Sequence, residues 1–141
     1  MNPFQSLREY ERFVYTLQQQ FPKIVRSTLL VIRRSRLSAE LSGEITFAAG
    51  HRLVAYERLS WDTGSLVIEG YSYEVWYGNE KLYWYDSQPH PADPTLTSTQ
   101  PHHKHVPPDI KHHRIPAPGL SFTAPNLSFL IEEIEASLSK N

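Results

Sequence analysis

The sequence contains no cysteine, and this absence excludes several kinds of site. Without thiols the chain has no disulfide, no cysteine nucleophile and none of the cysteine ligands of common structural zinc sites. No apolar stretch approaches the ~18 residues that a membrane-spanning helix needs. The N-terminus, Met1-Asn2-Pro3-Phe4-Gln5, also lacks the basic head and apolar run of a signal peptide. We therefore expect a soluble, cytoplasmic protein, in which any metal would need histidine and carboxylate ligands.

The chain also lacks a strong net charge. It has 14 Lys plus Arg against 15 Asp plus Glu, a formal charge of -1, which argues against bulk electrostatic binding to DNA or to an anionic membrane. The basic residues are nevertheless concentrated, because residues 1–60 carry nine basic and five acidic side chains. The densest basic run consists of Arg26, Arg33, Arg34 and Arg36. It is either a phosphate-binding patch or a solvated strand edge that resists aggregation.

Apolar periodicity predicts a helix at each end of the chain with strands between them. Asn2 and Pro3 suit the N-cap and first position of an amphipathic helix. From Ile24 to Asp86 the apolar residues alternate with a period of two between short turns, which predicts an antiparallel meander. A second amphipathic helix follows Asn126. We predict one α+β domain over residues 1–141, with a curved antiparallel sheet of about five strands flanked by N- and C-terminal helices.

A long proline- and histidine-rich segment precedes the last helix. Residues 87–125 contain nine of the eleven prolines, and five of the seven histidines lie between His102 and His113. Segments of this length inside a compact domain are usually functional or disordered, and so many neighbouring imidazoles are foreign to a packed core. We expect this segment to cross one face of the sheet and to carry the chemistry of the protein.

The histidines around Lys104 predict acid–base chemistry. On an extended segment His103 and His105 project to one side and Lys104 to the other, whereas a turn would bring Lys104 beside either ring. A metal-free nuclease needs a base for the ribose 2′-hydroxyl, an acid for the leaving oxygen and a cation for the phosphorane. Two imidazoles and a lysine meet these needs. The candidate catalytic residues are His102, His103, Lys104 and His105.

The same histidines also suit two other interpretations. A His-x-His pair on a strand is a plausible ligand set for zinc or another transition metal. The candidate ligands are His102, His103, His105, His112 and His113. Because no obvious carboxylate is spaced with them in the sequence, we expect no bound metal and no cofactor. The third interpretation is a solvated loop whose histidines have no specific role.

Other candidate substrate-binding residues lie outside the histidine motif. Aromatic residues crowd two adjacent strands, mostly as cross-strand packing, and Tyr73 is our candidate for stacking on a base. Asp86 either orients an imidazole by accepting its N–H or simply ends a strand, and His90 lies close to it in the sequence. Arg33 and Arg34 are candidate phosphate ligands.

One acidic residue falls in the buried phase of a strand. Glu57 is in phase with Leu53, Ala55 and Leu59, which predicts that its side chain points toward the core. An ionised carboxylate is seldom buried without a partner. We therefore expect Glu57 either to pair with another group or to line a cleft.

Three sequence stretches resemble the TumE-type family of small bacterial toxins from toxin–antitoxin pairs. They are Tyr71-Ser72-Tyr73, Tyr85-Asp86-Ser87-Gln88-Pro89-His90 and Pro101-His102-His103-Lys104-His105. The resemblance extends from about Gly43 to the end of the chain. The third stretch matches the family motif fully. The second departs from it at Ser87-Gln88, and Pro91 stands where the family often has a second histidine.

The resemblance implies a toxin that acts on RNA, with a neighbouring gene encoding a helix-turn-helix antitoxin. The predicted layout also resembles the small metal-independent ribonuclease toxins of the RelE and barnase type. We predict a metal-independent endoribonuclease in which His103 and His105 share acid and base roles and Lys104 stabilises the phosphorane. Its partners are RNA and the antitoxin, with no membrane, and the sequence leaves open a homodimer. The alternatives are a metal-binding protein or metal-dependent enzyme, and a non-catalytic interaction protein.

Overall fold

The computed structural model describes residues 3–87, 102–110 and 113–138 and has an α+β fold. A curved, antiparallel sheet makes up most of it, with helices at the N-terminal and C-terminal ends, which confirms the predicted class. The predicted strand count is wrong, because the described residues form a sheet of eight strands rather than about five. Within the described ranges, no helix is long and apolar enough to cross a membrane.

The N-terminal helical region consists of three pieces and begins later than predicted. The pieces are a 3₁₀ turn (Pro3–Gln5), α1 (Leu7–Tyr15) and α2 (Leu17–Gln20). Ser6 caps α1 by accepting a hydrogen bond of 3.1 Å from the backbone N–H of Glu9, in the Ser-x-x-Glu spacing of a capping box. The predicted cap, Asn2, lies outside the described residues. At the other end of the chain, α3 (Leu127–Leu138) directly follows Asn126, as predicted.

The strands form one sheet in which every neighbouring pair is antiparallel. They are β1 (Ile24–Ser27), β2 (Leu30–Ser35), β3 (Ser38–Phe47), β4 (His51–Ser60), β5 (Val67–Tyr77), β6 (Glu80–Asp86), β7 (His103–His105) and β8 (Arg114–Pro116). Their order is β1-β3-β4-β5-β6-β7-β8, and β2 also pairs with β3. The histidine segment therefore extends the sheet instead of crossing its face. Strands of three residues are too short to show a period of two in the sequence.

Strand alternation divides the sheet into two faces. Residues such as Leu53, Ala55 and Tyr73 share one hydrophobic core with the buried residues of α1 and α3, and we call this side the core face. The residues between them, such as Tyr56 and Arg58, point to the opposite side, which we call the open face. The candidate site lies on the open face, near the edge that β7 forms with β6.

Candidate active site

Cross-strand pairing brings a carboxylate to two of the histidines. Asp86 lies opposite His103 across β6 and β7, and directly opposed residues share a face. One carboxylate oxygen of Asp86 pairs with Nε2 of His103, and the other lies 3.2 Å from Nε2 of His105. One ligand atom from each of the three residues lies within 4.8 Å of the others. We call Asp86, His103 and His105 the Asp-His-His cluster. Asp86 is therefore the carboxylate that the sequence analysis named as a partner for an imidazole, although it is not spaced with the histidines along the chain.

The imidazole of His105 is held by oxygen atoms at both ring nitrogens. Its Nδ1 lies 2.9 Å from the carbonyl oxygen of Ile110, and its Nε2 faces Asp86. The Trp84 indole N–H donates to the same carbonyl at 3.0 Å, and its ring packs against the imidazole with centroids 4.2 Å apart. These contacts fix the ring in one orientation. Burial lowers the pKa of His105, and the charge of Asp86 opposes this effect.

A cleft of about 400 Å³ opens beside the cluster on the open face. Its lining includes Tyr56, Arg58, Glu69, Ser72, Trp84 and Asp86. One cross-strand row explains this arrangement, because Tyr56 pairs with Ser72 and Ser72 pairs with Asp86. His103 continues the row on β7. Asp86, whose side chain is 16% exposed, thus belongs both to the cluster and to the wall of the cleft.

Arg58 supplies a positive charge to this cleft. It is exposed, and none of the ion pairs found among the described residues involves it. A side chain at Gly70 would collide with the guanidinium, so glycine leaves the room that Arg58 occupies. Arg58 is not among the residues predicted from the sequence, although a signal for it was available. Arg58 and Tyr56 alternate out of phase with the apolar residues of β4, which places them on the face opposite the core.

Lys104 lies on the core face, away from the cluster. It is opposite Tyr85 across the strands, its Nζ lies 3.3 Å from a carboxylate oxygen of Glu133, and it sits 4.2 Å from the centroid of the Tyr83 ring. This is the extended geometry, with the two flanking histidines on one side of β7 and the lysine on the other. Lys104 therefore does not stabilise charge at the Asp-His-His cluster, and its predicted catalytic role beside these histidines is corrected.

His102 is bound to a tyrosine instead of to Asp86. Its Nδ1 lies 2.6 Å from the hydroxyl oxygen of Tyr71, and the two rings are nearly parallel with centroids 5.7 Å apart. Phe122 packs against its ring at a centroid distance of 4.4 Å. Burial and then the neighbouring His103 lower the pKa of His102. Since Tyr71 lines the cleft, His102 lies near the site without joining the cluster.

Tyr73 and Glu57 form a polar group inside the core. Both residues are 0% exposed. The hydroxyls of Tyr73 and Tyr10 each donate to the Glu57 carboxylate at 2.5 Å, and the Asn126 side chain donates to the Tyr73 hydroxyl at 3.0 Å. The core-facing prediction for Glu57 is confirmed. The base-stacking prediction for Tyr73 is corrected, because a ring buried in the core offers no face to a base.

Arg33 and Arg34 lie on β2, far from the histidines along the sheet. Five strand spacings separate β2 from β7, which corresponds to roughly 24 Å along the sheet. Arg33 lies 3.8 Å from Glu11 and Arg34 lies 3.2 Å from Glu40. At this separation along the sheet the two arginines are remote from the Asp-His-His cluster, and their role as ligands of other phosphates stays a prediction.

Three further histidines complete the list of candidates. His90 and His112 lie outside the described residues. His113 is exposed, and its Nδ1 lies 3.1 Å from the carbonyl oxygen of Pro107. The described part of the chain thus brings together Asp86, His103 and His105 from the predicted set.

Comparison with known proteins places the chain in a toxin family. The family described as Toxin TumE matches residues 13–138, a range that includes the cluster, the cleft and α3. No curated protein and no solved structure matches the chain. Because the family match covers most of the chain, this protein belongs to the TumE toxin family.

Proposed function

We propose that this toxin is an endoribonuclease that cleaves RNA at the open-face cleft. One observation supports the proposal most strongly: Arg58, the aromatic residues Tyr56 and Trp84, and Asp86 line the same concave surface. Asp86 links this surface to the other two members of the Asp-His-His cluster, His103 and His105, which are buried behind it. Arginine matches the geometry of phosphate oxygens, and aromatic rings stack on unpaired bases. These are the groups that a protein uses to hold a single-stranded RNA across a reactive centre.

The proposed reaction is internal transesterification. The ribose 2′-oxygen attacks the adjacent phosphorus, the bond from phosphorus to the 5′-oxygen breaks, and the products carry a 2′,3′-cyclic phosphate and a 5′-hydroxyl. The proton leaves the 2′-hydroxyl, and a proton is delivered to the 5′-oxygen. Arg58 stabilises the phosphorane charge, a role for which the sequence suggested Lys104. In the metal-independent form of the proposal, one of His103 and His105 accepts the first proton and the other supplies the second. Both rings are buried, so this form requires that RNA binding exposes them.

In this proposal aromatic residues of the open face, and not Tyr73, stack on the bases of the RNA. Tyr56 and Trp84 both line the cleft and are partly exposed, so their rings are accessible to bases. Trp84 is held by its hydrogen bond to Ile110, and a ring fixed in this way loses little conformational freedom on binding.

The test of this proposal compares two arginine substitutions of equal charge. Purified protein should cleave a single-stranded RNA, and Arg58→Gln should slow cleavage by about 10²-fold, the scale for losing a group that stabilises transition-state charge. Arg34→Gln removes the same charge at the other edge of the sheet and should leave the rate within about 2-fold. Equal loss in both variants would assign the effect to overall charge, and an unchanged rate in Arg58→Gln would remove the cleft from the reaction.

The toxin family implies an antitoxin partner. We propose that this partner is a helix-turn-helix protein encoded by the adjacent gene and that it contacts the basic residues of β2. Arg33 and Arg34 are more than half exposed at their side chains, which leaves them available to an acidic surface. Whether the toxin also pairs with a second copy is tested by measuring its mass in solution with and without the antitoxin.

A further inference from the structure

We propose that the Asp-His-His cluster binds one divalent transition-metal ion through the carboxylate of Asp86 and Nε2 of His103 and His105. Two imidazoles and one carboxylate form a ligand set that zinc and neighbouring first-row metals accept. These three groups come from the facing ends of β6 and β7, where backbone pairing holds them in place. The site therefore forms on regular secondary structure, which positions ligands more accurately than a loop does.

The orientation of His105 is the first argument for a metal. A carbonyl oxygen can only accept a hydrogen bond, so the contact with Ile110 places the hydrogen of the neutral ring on Nδ1. Nε2 then presents a lone pair to Asp86, which is itself an acceptor when ionised. A cation between the two atoms satisfies both of them. It is either a proton, which makes His105 an imidazolium that donates to Asp86, or a metal ion, and the binding test below distinguishes the two. Metal-ligating histidines commonly donate their other N–H to a backbone carbonyl, and here that carbonyl is also fixed by Trp84.

The spacing of the donor atoms is the second argument. Nitrogen and oxygen ligands lie about 2.0 to 2.2 Å from zinc, so two ligands on one ion are roughly 3 to 3.5 Å apart. The 3.2 Å between Nε2 of His105 and the Asp86 oxygen falls in this range. All three donor atoms lie within 4.8 Å of one another. Modest side-chain movements would thus complete a three-ligand site.

Three protein ligands are characteristic of a catalytic site, because they leave coordination positions for water or substrate. Asp86 also lines the cleft, which connects the proposed ion to the surface that Arg58 borders. The catalytic part of this inference rests on the proposed ribonuclease function. In that setting the ion would polarise a phosphoryl oxygen and supply, together with Arg58, the positive charge that Lys104 does not supply.

The binding test uses full-length protein without a histidine tag and measures zinc and manganese separately. The protein is saturated with each ion, dialysed and analysed for metal content, and its affinity is measured by titration calorimetry. We expect one ion per chain in the wild type and at least a 10-fold weaker affinity in Asp86→Asn and in His105→Ala. The matched control is His102→Ala, which removes the neighbouring imidazole that contacts Tyr71 and should retain one ion.

A second measurement shows whether a variant loses metal because it is unfolded or because a ligand has been removed. Circular dichroism establishes that each variant is folded, and metal should raise the midpoint of thermal unfolding of the wild type and of His102→Ala only. A wild type that retains no ion overturns the proposal. Equal loss in His102→Ala and His105→Ala also overturns it, because it would show binding by histidines in general.

The metal proposal and the ribonuclease proposal fail in different ways. A protein that holds one ion but leaves RNA intact supports the metal site and contradicts the ribonuclease. RNA cleavage that continues at full rate in excess chelator, by protein shown to be metal-free, supports the ribonuclease and contradicts the catalytic metal. We expect chelation to abolish cleavage and addition of the ion that binds to restore it.

Discussion

Replacing Glu57 by glutamine should change how the stability of the protein depends on pH. The carboxylate is fully buried between the hydroxyls of Tyr10 and Tyr73. Burial raises its pKa from 4.5 to about 7, although the two hydrogen bonds act in the opposite direction. The folded protein therefore keeps a proton on Glu57 over a pH range in which the unfolded chain has released it.

The direction and size of the change in stability follow from the two pKa values of Glu57, 4.5 in the unfolded chain and about 7 in the folded protein. Below pH 4.5 both states hold the proton, and stability does not depend on this group. Between pH 4.5 and about 7 only the folded state holds it, so the free energy of unfolding falls as the pH rises. Each pH unit corresponds to 1.36 kcal/mol, which gives a loss of about 3 kcal/mol across the window. Glu57→Gln removes this titration and keeps the shape of the side chain.

Urea unfolding at pH 4.5, 6 and 8 measures the prediction. The difference in free energy between Glu57→Gln and wild type should shift in favour of the variant by about 3 kcal/mol from pH 4.5 to pH 8. All other ionisable groups are common to the two proteins, so their contribution cancels in this difference. Glu132→Gln, at an exposed position of α3, is the matched control and should show no such shift. Parallel stability curves for Glu57→Gln and wild type would show that Glu57 does not keep its proton in the folded protein over this pH range.

Three further predictions concern the cleft, the histidines and the antitoxin. Gly70→Ala should displace the Arg58 guanidinium and slow RNA cleavage about 10-fold while the unfolding midpoint changes little; an unchanged rate would show that Arg58 does not act from this position. His103→Ala/His105→Ala should relieve growth arrest when the toxin is expressed, and full toxicity of a soluble, folded double variant would exclude both residues from the mechanism. Arg33→Glu should slow association with the antitoxin. The effect should be strongest at low salt, because the screening length reaches about 30 Å at 0.01 M salt. Stopped-flow association rates equal to those of the wild type at about 0.01 M salt would show that the antitoxin binds elsewhere.

Short-range sequence patterns predicted the features that depend on one element at a time. The terminal helices and the antiparallel sheet follow from periods of 3.6 and 2, and Glu57 was assigned to the core from its phase alone. Alternation also accounts for the separation of Lys104 from the two histidines beside it. In each case the deciding interactions lie within one strand or one helix, where residue spacing determines direction.

The composition of the site depends on which strands are neighbours, and spacing within a strand does not reveal this. Asp86 meets His103 because β6 pairs with β7 in one register, although the two residues belong to segments separated in sequence. Arg58 joins them through the row that crosses β4 and β5. The arginines of β2 were prominent in the sequence because they are consecutive, yet the strand order places them at the far edge. Packing by α1 and α3 buries Tyr73, and the residue pattern of its own strand does not reveal that packing.

We propose that RNA is cleaved on the open face, at Asp86 and the histidines beside it. The most direct measurement compares the initial rates of RNA cleavage by wild type, Asp86→Asn and Glu133→Gln. Both variants replace a carboxylate by an amide, but Glu133 contacts Lys104 and Tyr85 on the core face. We predict at least a 10²-fold lower rate for Asp86→Asn and a rate within about 3-fold of wild type for folded Glu133→Gln. The opposite result, with activity lost in Glu133→Gln and retained in Asp86→Asn, would exclude the Asp-His-His cluster as the active site and place the active site at Lys104 on the core face.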